Sequence, residues 1–310
     1  MGSNTTPRVA LIILNWNGRD DLLNCISTLP LLTYPNYVAT VVDNASVDGS
    51  VEALRQRFPR QRVLVMEKNL GFCGGNNRGM QDALANGADY VLLLNNDTEM
   101  HPELVTELVR VAETDAKIGA VGAKNLRLEK PDEIWGAYGE LNYQSELVRV
   151  IGQGQLDGPE YRIVRDVDWA IGNALMLSRP AIEAIGGFDE GFFGYHEDVD
   201  WCERARKHGF RIVFNGNAVI YHRGFGAAHP GRPVQFPVLY FLGRNGIFFT
   251  RKHASLWQQL RFTSLFLWYV TGLMMRALRR RESLNPHLWM LRGFVDGVLG
   301  RLPLRRLRLQ

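Results

Sequence analysis

The chain has 310 residues, 46% of them hydrophobic and 22% charged, with a formal net charge of +4. That is an ordinary globular balance with enough apolar material for a sizeable core. Cys25, Cys73 and Cys202 show no C-x-x-C spacing, which excludes a disulfide framework and a zinc site and fits a reducing compartment.

The charge is unevenly placed. Residues 251–310 carry twelve Lys/Arg against two acids, Glu282 and Asp296, so residues 1–250 are net acidic. A basic tail on an acidic body calls for an anionic partner at the tail alone. The start of the chain shows no charged-then-apolar leader, and residues 1–7 read as a disordered lead.

Predicted elements alternate from there. Val9–Leu14 is an apolar run ending in Asn15-Trp16-Asn17-Gly18, a buried strand and its loop. A helix runs to about Leu29, with Asp20 or Asp21 as its cap. Val38–Val42 is a second strand, ending in Asp43-Asn44-Ala45-Ser46, and residues 48–58 are helical with Asp48 as cap. Val63–Met66 ends near Asn69-Leu70-Gly71-Phe72, and Asn77–Asn86 is helical. Tyr90–Leu94 ends in Asn95-Asn96-Asp97, and residues 102–114 form a helix with Pro102 in its first turn. Residues 120–170 are less regular. A short helix covers residues 180–185, another residues 199–208, and Phe210–Phe214 is a strand.

Strand–helix alternation implies an α/β fold with a parallel, doubly wound sheet, which binds ligands at the carboxyl ends of its strands. All four early strands end there in clusters rich in Asn and Asp. Turn formation alone explains any one such cluster; four on one edge point to a site. No G-x-G-x-x-G follows the first strand and no P-loop occurs, which disfavours NAD binding and P-loop chemistry.

Three further features carry chemistry. Asp97 at a strand end can hold Mg²⁺ or Mn²⁺ when substrate phosphates add oxygens, or can merely cap a turn. His196-Glu197-Asp198-Val199-Asp200-Trp201 packs three carboxylates into four residues. Such crowding either raises a pKa for general-base work or decorates a solvated helix start. His222 can ligate a metal or be structural.

Together these stretches resemble the family 2 glycosyltransferases of the GT-A fold, and among them bacterial rhamnosyltransferase-like enzymes of surface polysaccharide biosynthesis. The matching pieces run in order from Val9–Gly18 through Val41–Ser50, Asn69–Gly79, Leu92–Thr98, Gly172–Leu177 and Gly186–Glu190 to His196–Trp201. The resemblance implies a catalytic domain over residues 8–235, with a nucleotide-sugar half (8–118) and an acceptor and catalytic half (119–235).

It also implies roles. Asn15, Asn17, Asp43, Asn44 and Ser46 surround the nucleoside. Asn69, Gly71, Phe72, Gly74 and Asn76 line the nucleotide-sugar pocket with Asn95 and Asn96. Asn95-Asn96-Asp97 stands where the family carries D-x-D, so Asp97 becomes the main ligand of Mg²⁺ or Mn²⁺, with His222 beside it. Asp198 is the general base of an inverting displacement. Gly172, Asn173, Ala174, Glu197 and Trp201 sit at the acceptor, where Trp201 either offers a stacking face or packs in the core. The donor is a nucleoside-diphosphate sugar, dTDP-rhamnose or a UDP-sugar, and the acceptor a saccharide or lipid-linked saccharide. A non-catalytic nucleotide-sugar-binding module and a sugar-phosphate nucleotidyltransferase are the alternatives.

Residues 236–310 read as a basic amphipathic helical region. Phe262–Met275 is 14 residues without a charge, shorter than the roughly 20 that span a bilayer. With its Trp and Arg anchors it reads as an interfacial helix pair, placing a cytoplasmic protein at the cytoplasmic face of the inner membrane. Packing on the catalytic domain, or a homo-oligomer contact, stays open. Nucleic acid is not expected, because no recognition motif accompanies the charge.

Overall fold

The computed structural model describes residues 6–144, 147–224 and 236–301. Met1–Thr5 of the lead, His229 and the Arg/Leu alternation after Arg301 lie outside the described residues. The chain opens as β1 (Val9–Asn15), α1 (Arg19–Thr28), β2 (Tyr37–Asp43), α2 (Ser50–Arg57), β3 (Arg62–Val65), α3 (Gly71–Ala85) and β4 (Tyr90–Asn95). Successive side chains of a strand point to opposite faces. Val9, Leu11 and Ile13 of β1 accordingly join one core with Leu22, Cys25 and Ile26 of α1, and Ile12 joins a second with Cys73 and Met80 of α3. Cover on both faces is why β1 is apolar throughout.

β5 (Thr98–Met100), α4 (Leu104–Ala112), β6 (Ile118–Arg127), β7 (Lys130–Gly136), β8 (Tyr138–Asn142), β9 (Leu147–Ile151), β10 (Val164–Asp166) and β11 (Ala174–Ser178) follow. Then come α5 (Arg179–Ile185), α6 (Glu197–Lys207) and β12 (Arg211–His222). The main sheet has the order β10-β12-β6-β11-β4-β1-β2-β3, with β8 and β9 as a separate hairpin. β3, β2, β1 and β4 are parallel, whereas β11 is antiparallel to both β4 and β6. The sheet is therefore mostly parallel, as expected, with antiparallel strands in its second half.

Register brings the polar clusters level. Asn15 pairs with Asp43, Leu14 with Asn95, and Ala174 at the start of β11 with Leu94. Gly172-Asn173 thus arrives at the same sheet edge as Asn95. On the far side His222 pairs with Thr98, next to Asp97.

Several boundaries differ from the sequence expectation. α3 starts at Gly71, not Asn77: glycines that read as loop let the helix lie against the sheet, since a Cβ at Gly75 or Gly79 would strike Leu14 or Ile12. Gly18 occupies the cap position of α1, and Asp20 and Asp21 fall in its first turn. Gly49 is the cap residue of α2, with Asp48 Oδ1 accepting from Ser50 N at 3.1 Å. Pro102 precedes α4, and α6 starts at Glu197 rather than residue 199. The weakly patterned 120–170 stretch holds β6 to β10, because β6 is buried throughout almost its whole length while β7 and β10 are short and charged.

The chain closes with α7 (Phe236–His253), α8 (Leu256–Arg280) and α9 (Asn285–Val298). α7 and α9 meet backbone to backbone, with Gly243, Gly293 and Gly297 at the contact. α8 starts in a capping box made by Ser255 and Gln258. Among the described residues no helix is long and apolar enough to cross a membrane.

Candidate active site

Two cavities flank the carboxyl edge of the sheet. The smaller, about 220 Å³, lies over the ends of β1, β2 and β4 and is lined by Trp16, Asn44, Asn69, Gly71, Phe72, Asn95, Asn96 and Phe193, among others. Its floor is a hydrogen-bonded net. Asn15 Nδ2 donates to Asp43 Oδ1 at 2.9 Å and to Ser46 Oγ at 3.1 Å, while Ser46 N donates to Asp43 Oδ2 at 2.9 Å. Asn17 N donates to Ser46 Oγ, and Asn17 Oδ1 accepts from Val47 N. Asp43 is buried and does not line the cavity; both its oxygens shape the loop beneath it.

Asn44 does the same one layer higher. It donates to Asn69 Oδ1 and Gly71 O, both at 2.9 Å, and accepts from Leu70 N. Gly71 has φ +75°, and a Cβ there would lie 2.5 Å from the Phe193 ring, so only glycine fits on both counts. Gly74 and Asn76, expected in the pocket, lie behind it on α3. Gly74 faces Leu70, and Asn76 is buried with its amide donating to Phe72 O.

Beside this cavity Asp97 Oδ1 lies 3.2 Å from His222 Nε2, both groups nearly buried. The His222 ring stands edge-on to Trp135, centroids 4.5 Å apart. His222 Nδ1 and Asn95 Oδ1 are buried without a hydrogen-bond partner among the described residues. Among the described residues no cluster of three or more His, Cys, Asp or Glu could hold a metal alone. One carboxylate, one imidazole and an amide oxygen nevertheless suit Mg²⁺ or Mn²⁺ whose shell is completed by phosphate oxygens.

Asp198 sits in the first turn of α6. It accepts from Gly172 N (2.9 Å, Oδ2) and from Val199 N (2.8 Å, Oδ1). Burial raises its pKa to about 6, against the lowering pull of those amides. Next to it, burial and then the charge of Asp198 push Glu197 well above the carboxylate range, and its Oε2 has no hydrogen-bond partner. Burial pushes His196 down to about 4. One carboxylate raised to about 6, beside a second that burial also raises, is an arrangement suited to accepting a proton.

Gly172-Asn173 links the two cavities. While Gly172 N holds Asp198, Asn173 O accepts from Asn95 N at 3.1 Å, and the buried Asn173 side-chain amide has no hydrogen-bond partner among the described residues. Ala174 is fully buried in β11. Of the two readings of Trp201 the structure shows core packing: it is fully buried, with Nε1 donating to Gly186 O at 3.0 Å.

The larger cavity, about 970 Å³, has Glu197 and Asp198 in its wall. Its other walls were not foreseen. Trp135 and Trp169 come from the stretch read as irregular, Ile171 from just after it, and Phe262, Leu265, Phe266 and Tyr269 from α8. Equally unforeseen is the clamp on the loop before α6. Phe193, Tyr195 and His196 all have φ between 65° and 71°, a costly conformation for side-chain-bearing residues. α7 holds them there: Asn245 Nδ2 donates to Phe192 O, Gly194 O and Tyr195 O, and the buried Arg244 donates to Gly191 O. The one sequence signal was Arg244, a charge inside an aromatic run.

Residues 10–170 match glycosyl transferase family 2, and the chain belongs to that family. It is similar to the N-acetylglucosaminyl-diphospho-decaprenol L-rhamnosyltransferase of Mycobacterium tuberculosis, 28% identical over 307 residues, which cover 89% of this chain and 96% of the relative. The low-salt glycan biosynthesis hexosyltransferase of Haloferax volcanii is 30% identical over 66% of this chain and 63% of its own length. Two solved GT-A structures share the fold. A mannosyltransferase from Pyrobaculum calidifontis in complex with GDP-Man and Mn²⁺ has a TM-score of 0.58 at 14% identity, covering 96% of this chain and 88% of its own. GalNAc-T7 with UDP, GalNAc and Mn²⁺ has a TM-score of 0.66 at 13% identity, covering 97% and 59%. The fold is GT-A and the chain is a family 2 glycosyltransferase.

Proposed function

We propose that this enzyme moves a sugar, rhamnose from dTDP-rhamnose or a hexose from a UDP-sugar, onto a lipid-linked saccharide in cell-surface polysaccharide synthesis, with inversion. The observation that carries the reading is the Gly172-Asn173 bridge, which ties Asp198 in the larger cavity to Asn95 at the smaller one. The nucleoside diphosphate occupies the smaller cavity, bounded by Trp16, Asn69 and Phe72, with the sugar toward Asn95 and Asn173.

The acceptor hydroxyl attacks the anomeric carbon from the Asp198 side. Its oxygen forms the new glycosidic bond and its proton passes to Asp198. The bond from the anomeric carbon to the phosphate oxygen breaks, and the electron pair leaves with the diphosphate. Asp97 and His222, with the Asn95 amide oxygen, would hold Mg²⁺ or Mn²⁺, which supplies positive charge to that leaving group. Burial raises the pKa of Glu197 and keeps His196 neutral, which limits further charge beside the base. The rhamnosyl donor and the prenyl-linked acceptor are supported by the mycobacterial relative's activity. The basic, aromatic α8 supports a site held at the membrane's cytoplasmic face.

The test is nucleoside diphosphate release from dTDP-, UDP- and GDP-sugars with a lipid-linked acceptor, in Mg²⁺, Mn²⁺ or EDTA. Metal-dependent release from one donor supports the reading. Release from none of them would leave a non-catalytic binding module.

A further inference from the structure

The larger cavity is built differently from a sugar site. At about 970 Å³ it stands at the top of the usual range of small-molecule pockets, roughly 300–1,000 Å³. Away from Glu197 and Asp198 its walls are overwhelmingly apolar. α8 supplies Phe262, Leu265, Phe266 and Tyr269 at helical spacing, and β9 faces them with Val148 and Val150. Arg261 lies in the same wall and fastens α8 to the β8–β9 turn, its Nε donating to Gln144 O at 2.9 Å.

α8 is also apolar on its outer side. Trp257 is 79% exposed, Trp268 78%, and Leu260 and Leu278 are more than half exposed, while Val270 and Ala277 are its buried residues. A helix apolar on both sides calls for cover on both; protein covers one side of α8, and lipid is the cover that fits the other. α8 does not span a membrane. Its arginines at 261, 276 and 279–281 suit an anionic headgroup layer. Trp268 and Tyr269 both line the cavity and are exposed, which puts the cavity mouth at the lipid-facing helix.

Resting on the function proposed above, we infer that this cleft takes the polyprenyl chain of the acceptor. The isoprene units nearest the phosphates lie between α8 and β9, and Arg261 meets the acceptor's phosphates. The acceptor sugar is then presented to Asp198 from the membrane side. The continuous apolar path from exposed α8 to the catalytic carboxylates selects this occupant over a longer saccharide, which would need polar partners along its length.

Two measurements on the full chain in detergent micelles, with no bilayer, test this. The first compares KM for acceptors with the same saccharide diphosphate on a long prenyl chain and on a chain of two isoprene units. The long chain should have a KM lower by about tenfold or more, and Leu265→Gln with Tyr269→Gln should shrink that ratio. Equal KM values with good turnover would overturn the inference while leaving the transferase standing. The second is photocrosslinking with a diazirine-bearing prenyl diphosphate, which needs no turnover. Labelling should concentrate on Val148–Val150 and Phe262–Tyr269. Labelling there without turnover of any acceptor would support the chain site and sink the transferase reading. Labelling confined to the outer face at Trp257 and Leu260 would overturn the inference.

Discussion

His253 Nε2 lies 2.7 Å from Asp200 Oδ1, so the last turn of α7 is fastened to the first turn of α6, two residues from Asp198. Asp200 is fully buried and also meets Lys252 Nζ and Arg204 Nε, each at 2.8 Å. Burial acts to raise its pKa, but the hydrogen bond from His253 and the Arg204 and Lys252 charges outweigh it and hold Asp200 below the usual carboxylate range. A depressed carboxylate adds stability that is present above its unfolded pKa, near 4, and is lost as pH falls through the folded value. Asp200→Asn should therefore lower stability at pH 7 by about 3 kcal/mol, the scale of breaking a buried pair. It should also flatten the acid limb of a plot of Tm against pH. An unchanged Tm would show that the fastening carries no weight.

Asp198 runs the other way. Its pKa is raised to about 6, so the native state holds its proton more tightly than the unfolded chain does. Stability from this group is full below the unfolded pKa and falls as pH rises to the folded one. Activity needs the deprotonated form, so kcat should climb through pH 6 to a plateau. Asp198→Asn should cost about 10²–10⁴ in kcat while raising Tm at pH 7.5. Lost activity with a lowered Tm would point to a merely structural role.

At Gly71, φ of +75° and the Phe193 contact together exclude a side chain. Gly71→Ala should destabilise by about 1–3 kcal/mol and raise the donor KM more than the acceptor KM. Urea melts and two-substrate kinetics separate the two effects.

The corner between Asp97 and His222 predicts a metal-binding change that activity alone cannot mimic. Asp97→Asn and His222→Ala should each weaken Mn²⁺ binding, read by Mn²⁺ electron paramagnetic resonance with donor diphosphate present. The loss should be about 10-fold or more, since removing one of few protein ligands shifts the burden onto phosphate oxygens. Unaltered Mn²⁺ affinity in both variants would remove this corner from the chemistry.

The polar edge that forms the smaller cavity was legible because it lies at strand ends, where apolar runs stop and Asn/Asp clusters begin; β1, β2 and β4 are long enough to show this. Asp198 stood out through charge crowding. Gly74 and Asn76 read as loop because they sit on a glycine-rich helix whose packing on Ile12 and Leu14 the sequence does not show. Trp201 stayed open because an aromatic beside acids reads alike inside or outside, and the bond to Gly186 O decides it. Trp135 and Trp169 gave no signal: 34 residues apart, they meet one cavity only through the pairing of β6 with β7 and the bridge between Gly139 and Trp169. The α8 wall stayed open between a membrane surface and packing on the catalytic domain, because a 14-residue apolar run does not say which of its sides faces protein.

The central claim is a single displacement with Asp198 as sole proton acceptor, and the product's anomeric configuration tests it most directly. Nuclear magnetic resonance of the glycosylated acceptor should show the configuration opposite to that of the sugar nucleotide. Retained configuration would require two displacements or a different attacking face, and would contradict the account.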